Sequence, residues 1–282
     1  MKRDLPMAVP STSLKMNPLG GCLTGKAPVE MDLTKGELIK REPVTLIWRN
    51  IPVNGRKAVV KMYRRGLFLQ CYSLITSFRS KREFEGLREL EQHGVPCSTP
   101  LFWCHGHFGP YGWGEALVTE EVAHSQPLRD VLASRPEAAT SLDVSPLFAN
   151  LARMHAIGVH HGMLRTRNIL VADRAGSPTF VFIDLARSHL FPGDIRHKRM
   201  ALYDLMSLCE GLLPYFSEDL VHSWLSAYGI PEPERIRLSA RIKRFRLTSR
   251  LRKALAWEFD IRNVLAHFRT PNHFWNLGKR QT

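Results

Sequence analysis

The sequence predicts an α+β chain of two lobes, a small antiparallel β lobe followed by a mainly helical one. Three observations carry this reading. Short β-branched and aromatic segments cluster between residues 37 and 63 and are joined across Asn54-Gly55, a strong hairpin signal. Apolar residues recur at helical spacing from Arg79 to His93 and again from Ser145 to Ala156. The chain has 282 residues, 44% of them apolar, enough to bury a sizeable core in one large or two small lobes.

Residues 1–36 are rich in Pro, Gly, Ser and Thr and read as an irregular arm. Within it Gly20 to Lys26 matches the phosphate loop GxxxxGK, but Ala27 stands where that loop needs a hydroxyl for magnesium. No apolar strand precedes it, so the stretch reads as a turn. Glu37 to Arg41, Val44 to Arg49 and Lys57 to Tyr63 follow as three strands, with Pro43 in the first turn. Lys61 lies among apolar residues of the third strand; it needs either an anion partner or an edge position that reaches water. The helix over Arg79–His93, stopped by Gly94-Val95-Pro96, offers two carboxylates. Glu83 shares a face with Leu87, and Glu85 points elsewhere. Apolar runs around Pro100 to Cys104 and Glu115 to Val122 continue the β lobe. A helix beginning near Pro127 and a longer one over Ser145–Ala156 open the helical lobe, the latter with Gly158 as a plausible C-cap.

Chemistry concentrates next, in His160-His161-Gly162-Met163-Leu164-Arg165-Thr166-Arg167-Asn168, which opens into an apolar strand, Asn168 to Val171. Asp173 to Pro178 read as a turn, and Thr179 to Ile183 as the partner strand, which ends at Asp184. An Asn just before one strand and an Asp just after its hairpin partner converge in space. Two oxygen donors so placed suit magnesium. The group Cys97, Cys104, His105 and His107 lacks the spacing of a zinc site.

The five cysteines have no framework spacing and read as free thiols of a reducing, cytoplasmic compartment. No uncharged apolar stretch of about 18 residues is present, so no membrane-spanning helix is expected. The N-terminus has no long apolar core and does not read as a secretory signal. A net charge of +14 favours an anionic partner: a phosphorylated ligand, nucleic acid or an acidic membrane surface. Residues 233–254 hold nine Lys or Arg against one acid, and Leu238, Ile242, Phe245, Leu251 and Leu255 recur at near-helical spacing. That pattern is a basic amphipathic helix. Only Phe245 interleaves its cations, which speaks against base stacking and makes nucleic acid the weakest of the three partners.

From about residue 37 to about 230 the chain resembles the lipopolysaccharide kinase (Kdo/heptose kinase) family of the protein-kinase-like superfamily. The likeness rests on Ala58-Val59-Val60-Lys61, the Glu83-bearing helix with Gly94-Val95-Pro96 after it, and His155…His161-Gly162-x-Leu164…Asn168-Ile169-Leu170. It continues through Ile183-Asp184-Leu185-Ala186 and Asp204-Leu205. The resemblance implies a two-lobed protein-kinase-like fold: an arm over 1–36, an N-lobe over 37–122, a C-lobe over 123–232, and a basic helical extension over 233–282 packed on the C-lobe. It implies that Lys61, paired to Glu83, holds the phosphates of ATP, and that Asn168 and Asp184 bind Mg2+ between them. Arg165 would place a cation near the transferred phosphate, backbone groups around Glu120 to Val122 would meet the adenine, and Asp204 would tie the loop to its supporting helix.

Two departures follow from the same comparison. The family's loop reads His-Gly-Asp, whereas this chain has Met163, and a thioether is neither a base nor a strong hydrogen-bond acceptor. No glycine-rich phosphate cover lies between Glu37 and Arg49. The expectation is therefore a pseudokinase acting through protein partners, or a very slow kinase. The alternative is an active phosphotransferase on a sugar hydroxyl of lipopolysaccharide core or another anionic glycolipid, with water or a displaced acid such as Asp184 taking the proton. The third is a basic nucleic-acid-binding protein. A lipid-anchored acceptor and a basic tail suggest a cytoplasmic protein peripheral to the inner membrane face.

Overall fold

A computed structural model describes residues 32–64, 78–108, 111–134, 142–174 and 177–244. Residues 1–31 of the arm, with Gly20–Lys26 and Cys22, lie outside the described residues, as do Cys71 and the basic segment beyond residue 244; the described end of the arm is a 3-10 turn, Leu33–Lys35.

Strands β1 (Glu37–Arg41), β2 (Thr45–Val53) and β3 (Arg56–Arg64) form an antiparallel meander. Asn54 and Gly55 take φ of +49° and +77°, the two positive values that a two-residue hairpin turn matched to strand twist requires. β2 runs four residues past the predicted end at Arg49. A register shift between Trp48 and Ile51 absorbs the polar Arg49-Asn50 pair, so the strand continues through it. Asn50, at φ +59°, donates its N–H to Glu121 at 3.1 Å. β4 (Pro100–His107) and β5 (Trp113–Glu120) complete a five-stranded sheet of order β1-β2-β3-β5-β4. One core lies on Leu46, Trp48, Ile51, Val60, Met62 and Val118.

Helix α1 (Arg79–Gln92) packs its Phe84-Leu87-Leu90 stripe into the larger core that runs on into the helical half. The link from α1 to β4 then passes beside the strand that ends at Phe182. Ser98 N–H donates to Phe182 O at 3.2 Å and Phe182 N–H to Pro96 O at 3.0 Å, a backbone staple with a parallel bridge at Cys97.

The helical half begins with β6 (Ser125–Pro127) and α2 (Leu128–Ser134). α3 (Ser145–Ala156) is followed by β7 (Val159–His160), a 3-10 turn over Thr166–Asn168, β8 (Ile169–Arg174) and β9 (Ser177–Phe182). Asn168 thus closes a turn, and the strand starts one residue later than predicted. The predicted turn over Asp173–Pro178 is tighter than expected, since these two residues are cross-strand partners. β9 is an edge of the β6-β8-β9 sheet, where a proline is tolerated. β10 (His189–Leu190) pairs β7, and α4 (Arg199–Leu212), α5 (Leu220–Tyr228) and α6 (Glu232–Arg244) follow. Phe148 of α3 stacks on Trp224 of α5 at 5.3 Å between ring centroids. On α6, Ile242 is buried in the larger core and Leu238 packs against it, while Ile236 is exposed. Among the described residues no helix is long and apolar enough to cross a membrane.

Candidate functional site

A cleft of about 1230 Å³ is lined from one side by β2, β3, α1 and the end of β5, and from the other by β6, α2 and the loop and strands from Met163 to Arg187. Lys61, Glu83, Glu120, Val122, Met163, Asn168 and Asp184 all line it. Arg165 does not: it stands half-buried and extended, at φ −140°, ahead of the 3-10 turn. Arg167, inside that turn, lines the cleft in its place.

Lys61 Nζ lies 3.1 Å from both carboxylate oxygens of Glu83 and closer still to Asp184 Oδ1. The choice between Glu83 and Glu85 is thereby made, because Glu85 pairs along the helix surface with Lys81. Glu83 also accepts a hydrogen bond from Tyr63 Oη at 2.8 Å. One cation is shared by two carboxylates, and burial divides their behaviour. Burial disfavours the charged form of Lys61, but Glu83, then Tyr63 and Asp184, overcome it and raise its pKa well above the ordinary lysine value. Glu83 is raised, mainly by burial and then by Asp184 against the pull of Lys61. Asp184, the more exposed of the two, resists its own burial through Lys61 and is lowered. It sits at φ +62°, a left-handed conformation uncommon for a non-glycine residue and found preferentially at functional sites.

The loop is fixed from beneath. Asp204 on α4, fully buried, accepts the N–H of His161 at 2.7 Å and of Gly162 at 3.1 Å. His155 approaches the same carboxylate at 3.3 Å and meets Tyr228 Oη at 2.7 Å on its other nitrogen. Despite the burial, the surrounding histidines hold Asp204 below the usual carboxylate range. Gly162 is at φ +77°, and a Cβ there would fall 2.2 Å from Arg187 O. Met163 is half-buried in the cleft wall, and its carbonyl accepts Asn168 Nδ2 at 2.9 Å. That bond turns the amide so that Oδ1 is its remaining acceptor.

Asn168 Oδ1 and the Asp184 carboxylate are hard oxygen donors lining the same cleft. They fit an ion such as Mg2+, which takes one or two protein ligands and completes its shell with water and phosphate. At the far end, the N–H groups of Glu120 and Glu121 donate to Thr99 O and Lys57 O. Among the described residues, Val122 N–H is the donor this segment leaves uncommitted, which suits a heterocycle edge.

Three supporting groups escape sequence reasoning. Tyr63 lies two residues from Lys61 on the same strand face, a spacing that could have been read. Glu115 is a lone acid in an apolar strand, the signal that singled out Lys61. Fully buried, it accepts Ser80 N–H at 2.8 Å and Ser80 Oγ at 2.6 Å, so it anchors the start of the helix that carries Glu83. Arg167 had no such signal, because which of two nearby arginines faces the cleft depends on the turn between them.

A sheet-and-helix clamp on a half-buried lysine, with an Asn and an Asp facing it from a hairpin anchored to a buried Asp, defines a kinase-like cleft. The chain belongs to the lipopolysaccharide kinase (Kdo/WaaP) family, whose model matches residues 53–228, more than half of its length. The solved structure of WaaP in complex with acyl carrier protein superposes with a TM-score of 0.56 at 21% identity, covering 79% of this chain and 88% of that one. The two share the kinase-like fold. Retinal guanylyl cyclase 1 of Bos taurus is 34% identical over 102 residues, 34% of this chain. The chain spans 9% of the length of that curated relative, so the likeness concerns a segment of it.

Proposed function

We propose that this chain is a nucleotide-binding member of the lipopolysaccharide kinase family whose phosphoryl transfer is lost or very slow. The observation that carries the reading is Lys61 held by Glu83 beside Asp184, with Met163 where the family's acid stands. Lys61 would meet the nucleotide phosphates, and Val122 N–H the base. Asn168 and Asp184 would hold Mg2+, which, when bound, supplies charge neutralisation between the phosphates. Asp184 already meets Lys61, so nucleotide and metal would enter a site whose charges are held together beforehand. Met163 can neither accept the proton of an attacking hydroxyl nor orient it. Loss of a positioned base typically costs about 10²–10⁴-fold, which slows a reaction governed by positioning without abolishing it.

A second reading, slow transfer to a sugar hydroxyl of lipopolysaccharide core, is supported by the intact charges around Lys61. WaaP has been solved with acyl carrier protein, and a protein partner of that kind is a candidate here. Work at the inner membrane face, on a lipid-anchored acceptor, would suit the charge of +14. Incubation with magnesium and γ-labelled ATP, with and without lipopolysaccharide core, separates the readings. Thermal stabilisation by Mg-ATP without label transfer is the expected result. Transfer that Lys61→Ala or Asp184→Asn abolishes would establish the enzyme instead, and absence of any nucleotide effect would leave a scaffold.

A further inference from the structure

Helix α6 has two unlike faces. Leu238 and Ile242 pack into the larger core, and Arg235 beside them is half-buried and committed to Glu232. The opposite face carries Pro233, Ile236, Arg237, Ala240 and Arg241, all exposed and spaced three and four apart, so they form one stripe along the helix. Ile236 is 62% exposed, more than any other large apolar side chain among the described residues. Arg237 and Arg241 make no hydrogen bond or ion pair with another described residue. The nearby acids do little to cancel them. Glu232 is engaged by Arg235 and by His222 at 3.3 Å, and Glu234 stands in the first turn, where the helix N-terminus favours a carboxylate.

A single exposed isoleucine would be ordinary on any surface. One set between uncommitted cations on an outward face is a mixed surface, and the mixture discriminates among anions. A nucleic acid backbone would satisfy the two guanidiniums but leave Ile236 in water, and the stripe has no aromatic ring on which a base could stack. A bilayer with anionic headgroups takes both kinds of group. Ile236 enters the boundary between headgroups and acyl chains, while Arg237 and Arg241 lay their stems along that apolar layer and meet lipid phosphates with their planar forks. The sequence after the helix extends the charge: residues 245–254 add Arg246, Arg250, Arg252 and Lys253 and no acid.

We infer that the outward stripe of α6 is a docking surface for an anionic lipid bilayer, with Ile236 as the inserted residue. The inference rests on the reading of a protein that works at a membrane face, and it names the surface that meets the membrane. Nucleotide binding in the cleft is independent of it.

The test is co-sedimentation of the full chain with vesicles of phosphatidylglycerol and phosphatidylcholine, set against vesicles of phosphatidylcholine alone. The wild type should partition onto the anionic vesicles and much less onto the neutral ones. Replacing both cations, Arg237→Gln with Arg241→Gln, should lower that partition about tenfold or more. Ile236→Ser should weaken it severalfold, whereas Ile236→Trp should strengthen it, a gain that misfolding cannot mimic. The added indole should also shift its fluorescence to the blue on anionic vesicles, beyond any change in the wild type. Partition that is unchanged in the arginine and Ile236 variants overturns this surface and leaves the membrane reading to another part of the chain. No binding of the wild type to anionic vesicles sinks both. Sensitivity to the arginines alone, with no blue shift, assigns the face to a polyanion such as nucleic acid and overturns the bilayer.

Discussion

Lys61 is a single cation between two acids, and its neighbours decide which one yields. With Lys61→Ala, Glu83 and Asp184 face each other without a counter-charge, and Glu83, already raised, takes up a proton. Nucleotide stabilisation should vanish from thermal melts of that variant, while the fold persists. Met163→Asp asks the converse question. If the remaining site is competent, label transfer should rise by about 10²–10⁴-fold over the wild type. The residues of this clamp were legible in the sequence because each is a charge in an apolar setting, and such a charge must be paired. Arg165 misled for the opposite reason. Exposed or half-exposed cations carry no burial constraint, so sequence order alone cannot say which one turns inward.

At the scale of elements, α1 brings Glu83 to the clamp, and three contacts fix it. Glu115 holds its first turn through Ser80. Gly86 lets it approach the segment after Asp184 so closely that a Cβ would meet Ser188 Oγ at 2.7 Å and Leu185 Cδ2 at 3.1 Å. Ser188 Oγ in turn donates to Arg82 O at 3.2 Å. Glu115→Ala strands the Ser80 donors in a buried site, at a cost of about 1–3 kcal/mol. Urea denaturation should show that loss, and Mg-ATP affinity should fall with it because Glu83 is no longer held against Lys61. Gly162→Ala is the loop's equivalent. A side chain at φ +77° and 2.2 Å from Arg187 O forces the His161–Asn168 loop to move, so the variant's melting temperature should drop below that of the wild type. The hairpin at Asn54-Gly55 and the periodicity of α1 were readable because they are local. The bulge at Arg49-Asn50 was not, since what sustains β2 through it is Glu121, 71 residues away.

Across the whole molecule, acid should loosen the fold through histidines before it reaches the carboxylates. Burial lowers the pKa of His160 and His161, and carries His189 down to about 3. His160 faces Asp204, His155 and His161, and His189 faces His160, Arg82 and Asp204. Below the unfolded value of 6.5 the unfolded chain gains protons that the native state refuses, so stability falls as pH drops. For His189 that window runs from 6.5 to about 3. Asp204 acts later: its lowered pKa gives stability that is complete above 3.8 and lost only as pH falls through its folded value. Urea unfolding at pH 5.5 should therefore be easier than at pH 7.5, His189 alone contributing about 1 kcal/mol of the difference. His189→Gln should flatten the dependence by about that amount.

The staple between Pro96–Ser98 and Phe182 has a mechanical consequence. It ties the β-sheet side to the helical side just before Asp184, and α1 adds the contacts of Gly86 with Leu185 and Ser188, and of Arg82 O with Ser188 Oγ, just after it. Asp184 is thus braced on both sides, so the spacing between Lys61 and its acids is set by the packed root of the cleft. Any change in the width of the cleft would then be taken up at its mouth, where Ile39 and Lys40 stand on the edge strand two places out from β3, while the charges at its root stay in register.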